Sequence, residues 1–303
     1  MLSFPASRRA LVAALAVLTT LALAACGSSS QQSSGGSGEE SGGMHHGSSG
    51  MPSGGTSPGM NMADPNAGLA PSEQGYTFDS PFTTFSAGGN QGYRFRILGP
   101  DGKAHTSFAE DQTKLMHFYA IRSDLTNFQH LHPSMGKDGT WSVQLPADAP
   151  GPYRVYASFV AKDGSGKHHE LVLSCLLTVS GAYQGAALPP ATGSAEVDGY
   201  TVTLHGQLMG GMAMPATVSI TKAGEPVSDL QPYLETYAHV TAFRSGDLAF
   251  AHLHPQQGAK EGGHGGPDLP LQAQLPSAGD YRLFIQFQTA GLLHTAVMTA
   301  HAG

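Results

Sequence analysis

The sequence predicts an all-β protein made of two tandem β-sandwich domains, immunoglobulin-like or cupredoxin-like, that arose by internal duplication. Charged residues make up only 12% of the chain, which also holds 40 glycines and 20 prolines, and this composition favours strands and turns over helices. Apolar residues follow a period of two, and no amphipathic helical pattern of useful length occurs. Turn signals recur roughly every 8–12 residues, which is typical of a sandwich.

The duplication is clearest in two segments of seventeen residues. Residues 117–133 read HFYAIRSDLTNFQHLHP and residues 239–255 read HVTAFRSGDLAFAHLHP, so they align without a gap at an offset of 122 residues. Each segment begins with a His and ends in His-Leu-His-Pro. Further on, residues 144–146 match residues 274–276 at an offset of 130, which indicates an eight-residue insertion in the second copy.

Residues 1–25 have the features of an export signal. Arg8 and Arg9 precede an apolar run of about fifteen residues, which is shorter than the roughly twenty needed to span a bilayer. Leu23-Ala24-Ala25-Cys26 resembles a bacterial lipobox, which implies cleavage before Cys26, lipidation of that residue and an extracytoplasmic protein anchored to the cell membrane. The alternative is an ordinary signal peptide with an incidental Cys. The Arg pair also weakly resembles a twin-arginine signal.

Residues 26–74 are predicted to be a disordered tether, because Gly and Ser dominate and branched aliphatic residues are nearly absent. We expect repeat 1 over residues 75–180, a linker over 181–198 and repeat 2 over 199–303. The tether also contains thioether and imidazole groups that are suitable auxiliary ligands for Cu(I), although chance drift in a low-complexity segment is an equal alternative. These residues are Met44, His45, His46, Met60 and Met62.

Within each repeat, the clearest strands are residues 153–159 and 281–287. The Gly-x-Tyr sequence that opens each of them resembles an immunoglobulin tyrosine corner. Asp101-Gly102, Asp138-Gly139 and Ala223-Gly224 read as hairpin turns.

The histidines of the duplicated segment are candidate metal ligands. Residues i and i+2 of a strand share a face and lie roughly 6.6 Å apart, so His130 and His132 project together while Leu131 points into the core. A hairpin turn after residue 122 or 244 would bring the leading His close to this pair. A further His follows each strong strand downstream. The predicted site is His117, His130, His132 and His169 in copy one, and His239, His252, His254 and His294 in copy two.

An imidazole-rich site favours copper by the Irving–Williams order, with zinc or nickel as the alternatives. Copy two adds Met209, Met212 and Met214 as auxiliary ligands, although core filling is the competing interpretation of these methionines. Cys175 lies in an apolar run and is expected to be a buried hydrophobe and not a thiolate ligand. Arg122 and Arg244 are expected to be solvated.

The His-Leu-His-Pro motif, the Leu-Pro…Gly-x-Tyr-Arg stretch and the His-Thr-Ala ending together resemble a group of secreted bacterial proteins. They are similar to two-repeat envelope lipoproteins described as heavy-metal-associated or copper-related. The resemblance covers most of residues 90–303 and implies metal homeostasis.

Three functions compete. The first is a membrane-anchored metal-binding or metal-relay lipoprotein, with the metal ion and a metal-transport protein as partners. The second is an adhesion or scaffolding lipoprotein with structural histidines. A metalloenzyme is the third and is disfavoured, because no His-Glu-x-x-His, nucleophile elbow or phosphate loop occurs. Nucleic-acid binding is not expected, since the net charge is −7 and no Lys/Arg cluster follows the signal.

Overall fold

The structure, a computed structural model, describes residues 67–253 and 255–303, which form strands, turns and bends. Among the described residues, no helix is long and apolar enough to cross a membrane. The strands fall into two domains, one built from residues 72–180 (domain 1) and one from residues 194–302 (domain 2). The predicted all-β fold is therefore confirmed.

Domain 1 consists of two sheets. Its strands are β1 (Ser72–Glu73), β2 (Tyr76–Asp79), β3 (Thr84–Ser86), β4 (Asn90–Leu98), β5 (Phe108–Ala109), β6 (His117–Arg122), β7 (Gln129–Leu131), β8 (Ser134–Met135), β9 (Trp141–Pro146), β10 (Gly151–Lys162) and β11 (His168–Ser180). One sheet has the order β1-β2-β4-β9-β8 and the other has the order β3-β11-β10-β6-β7, with β5 also paired to β10. This order corresponds to the A-B-E-D sheet and the G-F-C sheet of an immunoglobulin domain.

Domain 2 repeats this arrangement. Its strands are β12 (Ser194–Val197), β13 (Tyr200–His205), β14 (Ala213–Lys222), β15 (Glu225–Pro226), β16 (His239–Arg244), β17 (Phe250–Leu253), β18 (Asp268–Gln274), β19 (Gly279–Thr289) and β20 (Leu292–Ala302). One sheet has the order β12-β13-β14-β15, with β18 also paired to β14, and the other has the order β17-β16-β19-β20. Each domain buries an apolar core of its own between its two sheets.

Both predicted tyrosine corners are present. The Tyr153 hydroxyl donates to the Ala149 carbonyl (2.9 Å) at the start of β10, and the Tyr281 hydroxyl donates to the Ser277 carbonyl (2.8 Å) at the start of β19. These bonds fix the chain where it enters the central strand of each sheet.

Two boundaries differ from the prediction. Strand β1 begins at Ser72, inside the predicted tether, and β12 begins at Ser194, inside the predicted linker. In each case a short strand pairs antiparallel with the next one, β2 or β13. Composition alone missed these strands because they are short, polar and exposed edges.

The two domains pack face to face through the sheets that contain β6 and β16. A third apolar core lies between these sheets and is drawn from both domains. Its buried members are Tyr119, Ile121, Leu125, Tyr156, Val172, Phe243, Leu248, Phe250 and Phe284. Strands β6 and β16 are therefore buried on both faces, which explains why they read as nearly continuous apolar runs.

Two segments outside the sheets border this interdomain face. Residues 67–71, which we call the leading segment, join both domains: the Phe250 amide donates to the Ala67 carbonyl (3.1 Å) and the Ser174 amide donates to the Ala70 carbonyl (3.0 Å). The linker is held in the same manner, since the Ala186 amide donates to the Asp124 carboxylate (3.0 Å) and the Thr192 amide donates to the Thr299 carbonyl (2.9 Å).

Candidate metal centre

The leading histidines lie at the start of β6 and β16 and face the interdomain side of their sheets. His117 pairs with Ser158 of β10, and His239 pairs with Gln286 of β19. Both side chains are buried, with 1% and 0% of their surface exposed. In β6, His117 lies on the same face as Tyr119, which packs in the interdomain core. Phe118 lies on the opposite face and packs in the core of domain 1.

Strands β7 and β17 place the second histidine of each copy beside the first. His130 lies directly opposite Tyr119, and His252 lies directly opposite Thr241. The next residue in each copy, Leu131 or Leu253, packs against the core of its own domain. The predicted orientation of the His-Leu-His motif is thus confirmed for the part of it that the structure describes.

The described histidines of the two duplicated motifs lie together. Five rings, which we call the histidine cluster, meet at one end of the interdomain face: His117, His130, His132, His239 and His252. The His130 ring of domain 1 stacks on the His239 ring of domain 2, with ring centroids 4.5 Å apart. His254, the remaining member of the duplicated motif, lies outside the described residues.

Ring nitrogens face one another in pairs within the cluster. His117 Nδ1 lies 3.0 Å from His130 Nε2, and His252 Nε2 lies 3.3 Å from His239 Nδ1. Two nitrogens that bind one ion tetrahedrally at 2.0–2.1 Å lie about 3.3 Å apart. Candidate ligand atoms of His117, His130 and His239 all lie within 4.8 Å of one another, so donors from both domains are close enough for one ion.

The outer nitrogens of three rings are held by oxygen atoms. His117 Nε2 lies 3.1 Å from the Asp111 carbonyl, and His130 Nδ1 lies 2.8 Å from Gln286 Oε1. His239 Nε2 lies 3.1 Å from the Tyr119 hydroxyl. The Asp111 carbonyl and Gln286 Oε1 can only accept, so they place a proton on the outer nitrogens of His117 and His130 and leave the inner nitrogens of these two rings with a lone pair. The Tyr119 hydroxyl can donate to His239 or accept from it. A metal-binding histidine is usually oriented by such an outer hydrogen bond.

The pair in domain 1 shows the consequence most clearly. When His117 and His130 are neutral, each carries one proton, and the two outer oxygen acceptors take both. Two lone pairs then face each other across 3.0 Å. A cation between them converts this repulsion into two bonds.

Burial keeps these rings neutral. It lowers the pKa of His117 to about 4 and the pKa of His130 well below its ordinary value, with charge on His117 as a further cause for His130. Burial, with repulsion from His117 and Lys114, also lowers the pKa of His132 to about 4. The neutral imidazole is the form that binds metal, so these three histidines of domain 1 have their ligating form at pH 7.

His132 contributes a third imidazole from domain 1. Its ring centroid lies 5.1 Å from that of His117 and 4.8 Å from that of His130. Its Nε2 is buried and has no hydrogen-bond partner among the described residues. A buried imidazole nitrogen without a partner is a further donor available to an ion.

The downstream histidines, His169 and His294, are not brought to the cluster. His169 bonds Gln74 (2.9 Å) and Asp163 (3.0 Å), while His294 bonds Thr289 (2.9 Å) and Asp198 (2.7 Å). Each ring also packs on the tyrosine that opens its domain: Tyr76 at 5.7 Å and Tyr200 at 4.8 Å between ring centroids. A His occurs at this position in both copies because it makes the same structural contact in each domain, with the tyrosine of the first long strand.

The other candidate ligands also lie elsewhere or are not described. Met209 and Met212 lie in the connection between β13 and β14, and Met214 lies on β14, in the sheet of domain 2 that does not contain β16. Met212 is 55% exposed, so it does not fill the core either. Cys26, Met44, His45, His46, Met60 and Met62 lie outside the described residues.

Cys175, predicted to be a buried hydrophobe, is half-buried. The thiol packs against the core of domain 1, and burial raises its pKa to about 11, which disfavours the thiolate.

Two further residues at the histidine cluster, Tyr119 and Gln286, were not predicted. Tyr119 is two residues after His117 and so shares its face of β6, and Gln286 lies opposite His239. Both signals depend on knowing that the two sheets meet.

Comparison with known protein families identifies the family of this chain. The sequence profile of a family described as "Domain of unknown function (DUF8832)" matches residues 71–174 and 195–303. The chain belongs to this family. The two matched segments of the DUF8832 chain coincide closely with its two β-sandwich domains. A comparison with curated proteins found no match.

Solved structures resemble the DUF8832 chain only distantly. A bacterial ice-binding adhesin is 10% identical with a TM-score of 0.23, over 75% of this chain and 63% of that one. A putative membrane anchored protein from Corynebacterium diphtheriae is also 10% identical with a TM-score of 0.22, over 76% and 59%. The Ig1-2 module of the Drosophila receptor phosphatase DLAR is 9% identical with a TM-score of 0.18, over 75% and 97%. This chain thus spans about three fifths of the first two proteins, and TM-scores this low carry no argument.

Proposed function

We propose that this protein is a non-catalytic, extracytoplasmic metal-binding lipoprotein that holds a transition-metal ion between its two domains. One observation carries the proposal: His117 Nδ1 and His130 Nε2 face each other at 3.0 Å while both outer nitrogens are held by oxygen atoms. His239 and His252 supply a second pair at 3.3 Å from the other domain. The ion is the protein's cargo, and the lipobox at Cys26 would keep it at the cell membrane.

Copper is the ion we propose, with zinc and nickel as alternatives. The donors are neutral imidazole nitrogens, and divalent copper binds such sites more tightly than its neighbours in the first transition row. The cluster also has no carboxylate in its inner ring of donors among the described residues, so hard cations such as Mg²⁺ or Ca²⁺ have no suitable ligand there.

The test is Cu(II) titration of the purified chain without its signal, followed by calorimetry. His130→Ala and His252→Ala should each weaken binding by roughly 100-fold or more, since each removes an inner donor. His169→Ala and His294→Ala are matched controls, because these histidines have partners outside the cluster. Undiminished binding after His130→Ala and His252→Ala are combined would rule the proposal out.

The second candidate is an adhesion or scaffolding lipoprotein in which the histidines only join the domains. The Tyr119–His239 hydrogen bond across the interface supports it. So does the contact between His239 and His252 within domain 2, because these two rings can satisfy each other without an ion. This function predicts that the metal-free chain is fully stable, takes up no metal, and loses stability when His239 or His252 is replaced.

A further inference from the structure

Two polar side chains cross from one domain to hold a histidine of the other. Gln286 of domain 2 accepts from His130 Nδ1 of domain 1 at 2.8 Å, and the Tyr119 hydroxyl of domain 1 lies 3.1 Å from His239 Nε2 of domain 2. Both are buried, with 5% and 0% of their surface exposed. The contacts are reciprocal, so the orientation of each ring depends on the opposite domain.

Tyr119 and Gln286 each differ from the residue at the equivalent position of the other domain. The position equivalent to Tyr119 is Thr241 in domain 2, and the position equivalent to Gln286, opposite the leading His, is Ser158 in domain 1. At each of the two positions one copy has a long polar side chain and the other a short one. The two faces are therefore complementary and not identical, as expected where one shared site replaces two separate ones.

The contacts also select the ring nitrogen that points inward. Gln286 Nε2 donates toward Thr295 Oγ1 (3.5 Å), which leaves Gln286 Oε1 for the proton on His130 Nδ1. His130 then presents Nε2 to His117. The Tyr119 hydroxyl, whether it donates or accepts, engages His239 Nε2 and so leaves His239 Nδ1 facing His252 Nε2.

We propose that Gln286 and Tyr119 are positioning residues of the metal centre, each fixing the inward nitrogen of a histidine from the opposite domain. The inference rests on the proposed metal binding and extends it: the ligand set is oriented only when the two domains are packed together. Neither domain contains the whole arrangement.

The experiment measures Cu(II) affinity of the full chain by calorimetry, together with the electron paramagnetic resonance spectrum of the bound ion. Tyr119→Phe and Gln286→Leu should each weaken binding about 10–100-fold, the usual effect of removing an outer hydrogen-bond partner. Their spectra should also change, because a ring that is free to rotate or change tautomer alters the ligand field. Thermal unfolding of the metal-free variants shows whether they are folded.

Matched controls separate positioning from general support of the interface. Tyr156→Phe removes a buried tyrosine hydroxyl that also crosses the interface, to the Leu248 carbonyl, without contacting a histidine. Ser158→Ala alters the position equivalent to Gln286. Both controls should bind Cu(II) with wild-type affinity and spectrum.

The outcomes are distinct. Wild-type affinity in both Tyr119→Phe and Gln286→Leu would overturn the inference and leave the metal site standing. Equal weakening in the controls would also overturn it, because any loss of interface contacts would then suffice. A wild-type chain that binds no Cu(II) would overturn the proposed function and this inference with it.

Discussion

His117 illustrates how a single buried side chain links packing to chemistry. With 1% of its surface exposed, its ring is held between the Asp111 carbonyl and His130, and burial lowers its pKa to about 4. The ring is therefore neutral and oriented before any ion arrives. A histidine on an exposed strand would be partly protonated near pH 6.5 and free to rotate.

This pKa predicts how stability depends on pH. Between about pH 6.5, the ordinary value for histidine, and about 4, the unfolded chain binds a proton at position 117 that the folded chain does not, so acid favours unfolding. The stabilising contribution is complete above pH 6.5 and is lost as the pH falls to 4, at a cost of about 3 kcal/mol. Urea unfolding of metal-free protein from pH 7 to 4 measures it, and His117→Gln should flatten the slope. Equal slopes in both proteins would contradict the assignment.

Sequence reasoning could reach some of these residues and not others. Alternation along a strand predicts that His130 and His132 share a face, because that geometry is local. The match between the two copies also predicts that His169 and His294 join them, but the structure does not bring them to the cluster, since each bonds a carboxylate of its own domain. The meeting of His130 with His239 joins residues from separate domains, and no local pattern encodes such a contact.

At the scale of single elements, the β6–β7 turn is fixed by an ion pair. Arg122 Nε and Nη2 donate to the two Asp124 oxygens at 2.9 and 2.8 Å, and the pair is largely buried, with 15% and 4% of the side chains exposed. Arg244 and Asp247 repeat it in domain 2. The expectation that these arginines are solvated was wrong, because the turn folds each acidic residue back onto the arginine that precedes it.

This turn gives a prediction for stability. Burial alone would raise the pKa of Asp124, but bonds from Arg122, Ala186 and Thr126 lower it to about 2. Asp124→Asn should therefore cost roughly 2 kcal/mol at pH 7, a cost that disappears as the pH falls from 3.8 toward 2. Asp138→Asn breaks an exposed Arg96 pair and is the control, with a much smaller expected loss. Chemical denaturation measures both, and equal losses would contradict the account.

At the scale of the whole molecule, two immunoglobulin-like sandwiches share a face whose apolar part packs and whose polar end holds the histidines. The fold of each domain could be predicted because alternation, turn residues and tyrosine corners are local signals. The packing of the two domains against each other could not be predicted in this way. The nearly continuous apolar sequences of β6 and β16 are consistent with it, because both faces of these strands are buried.

The leading segment tests this pairing. Gly68 has a φ of +72°, and a Cβ there would lie 2.9 Å from Val172 Cγ1 and 3.0 Å from Phe250 Cβ, one in each domain. Gly102 has nearly the same φ, +73°, with nothing within 4 Å of a Cβ. Both alanine variants carry the same backbone strain, so a larger fall in melting temperature for Gly68→Ala measures the interdomain contact alone. Equal falls would show that the segment does not support the interface.

The number of ions bound per chain tests the central claim most directly. Calorimetric titration with Cu(II), combined with elemental analysis of the purified protein, should give one tightly bound ion, because His117 and His130 of domain 1 and His239 of domain 2 are close enough to share one ion. Two equivalent ions, each removed only by mutating the histidines of its own domain, would contradict a shared centre, and so would a chain that binds none.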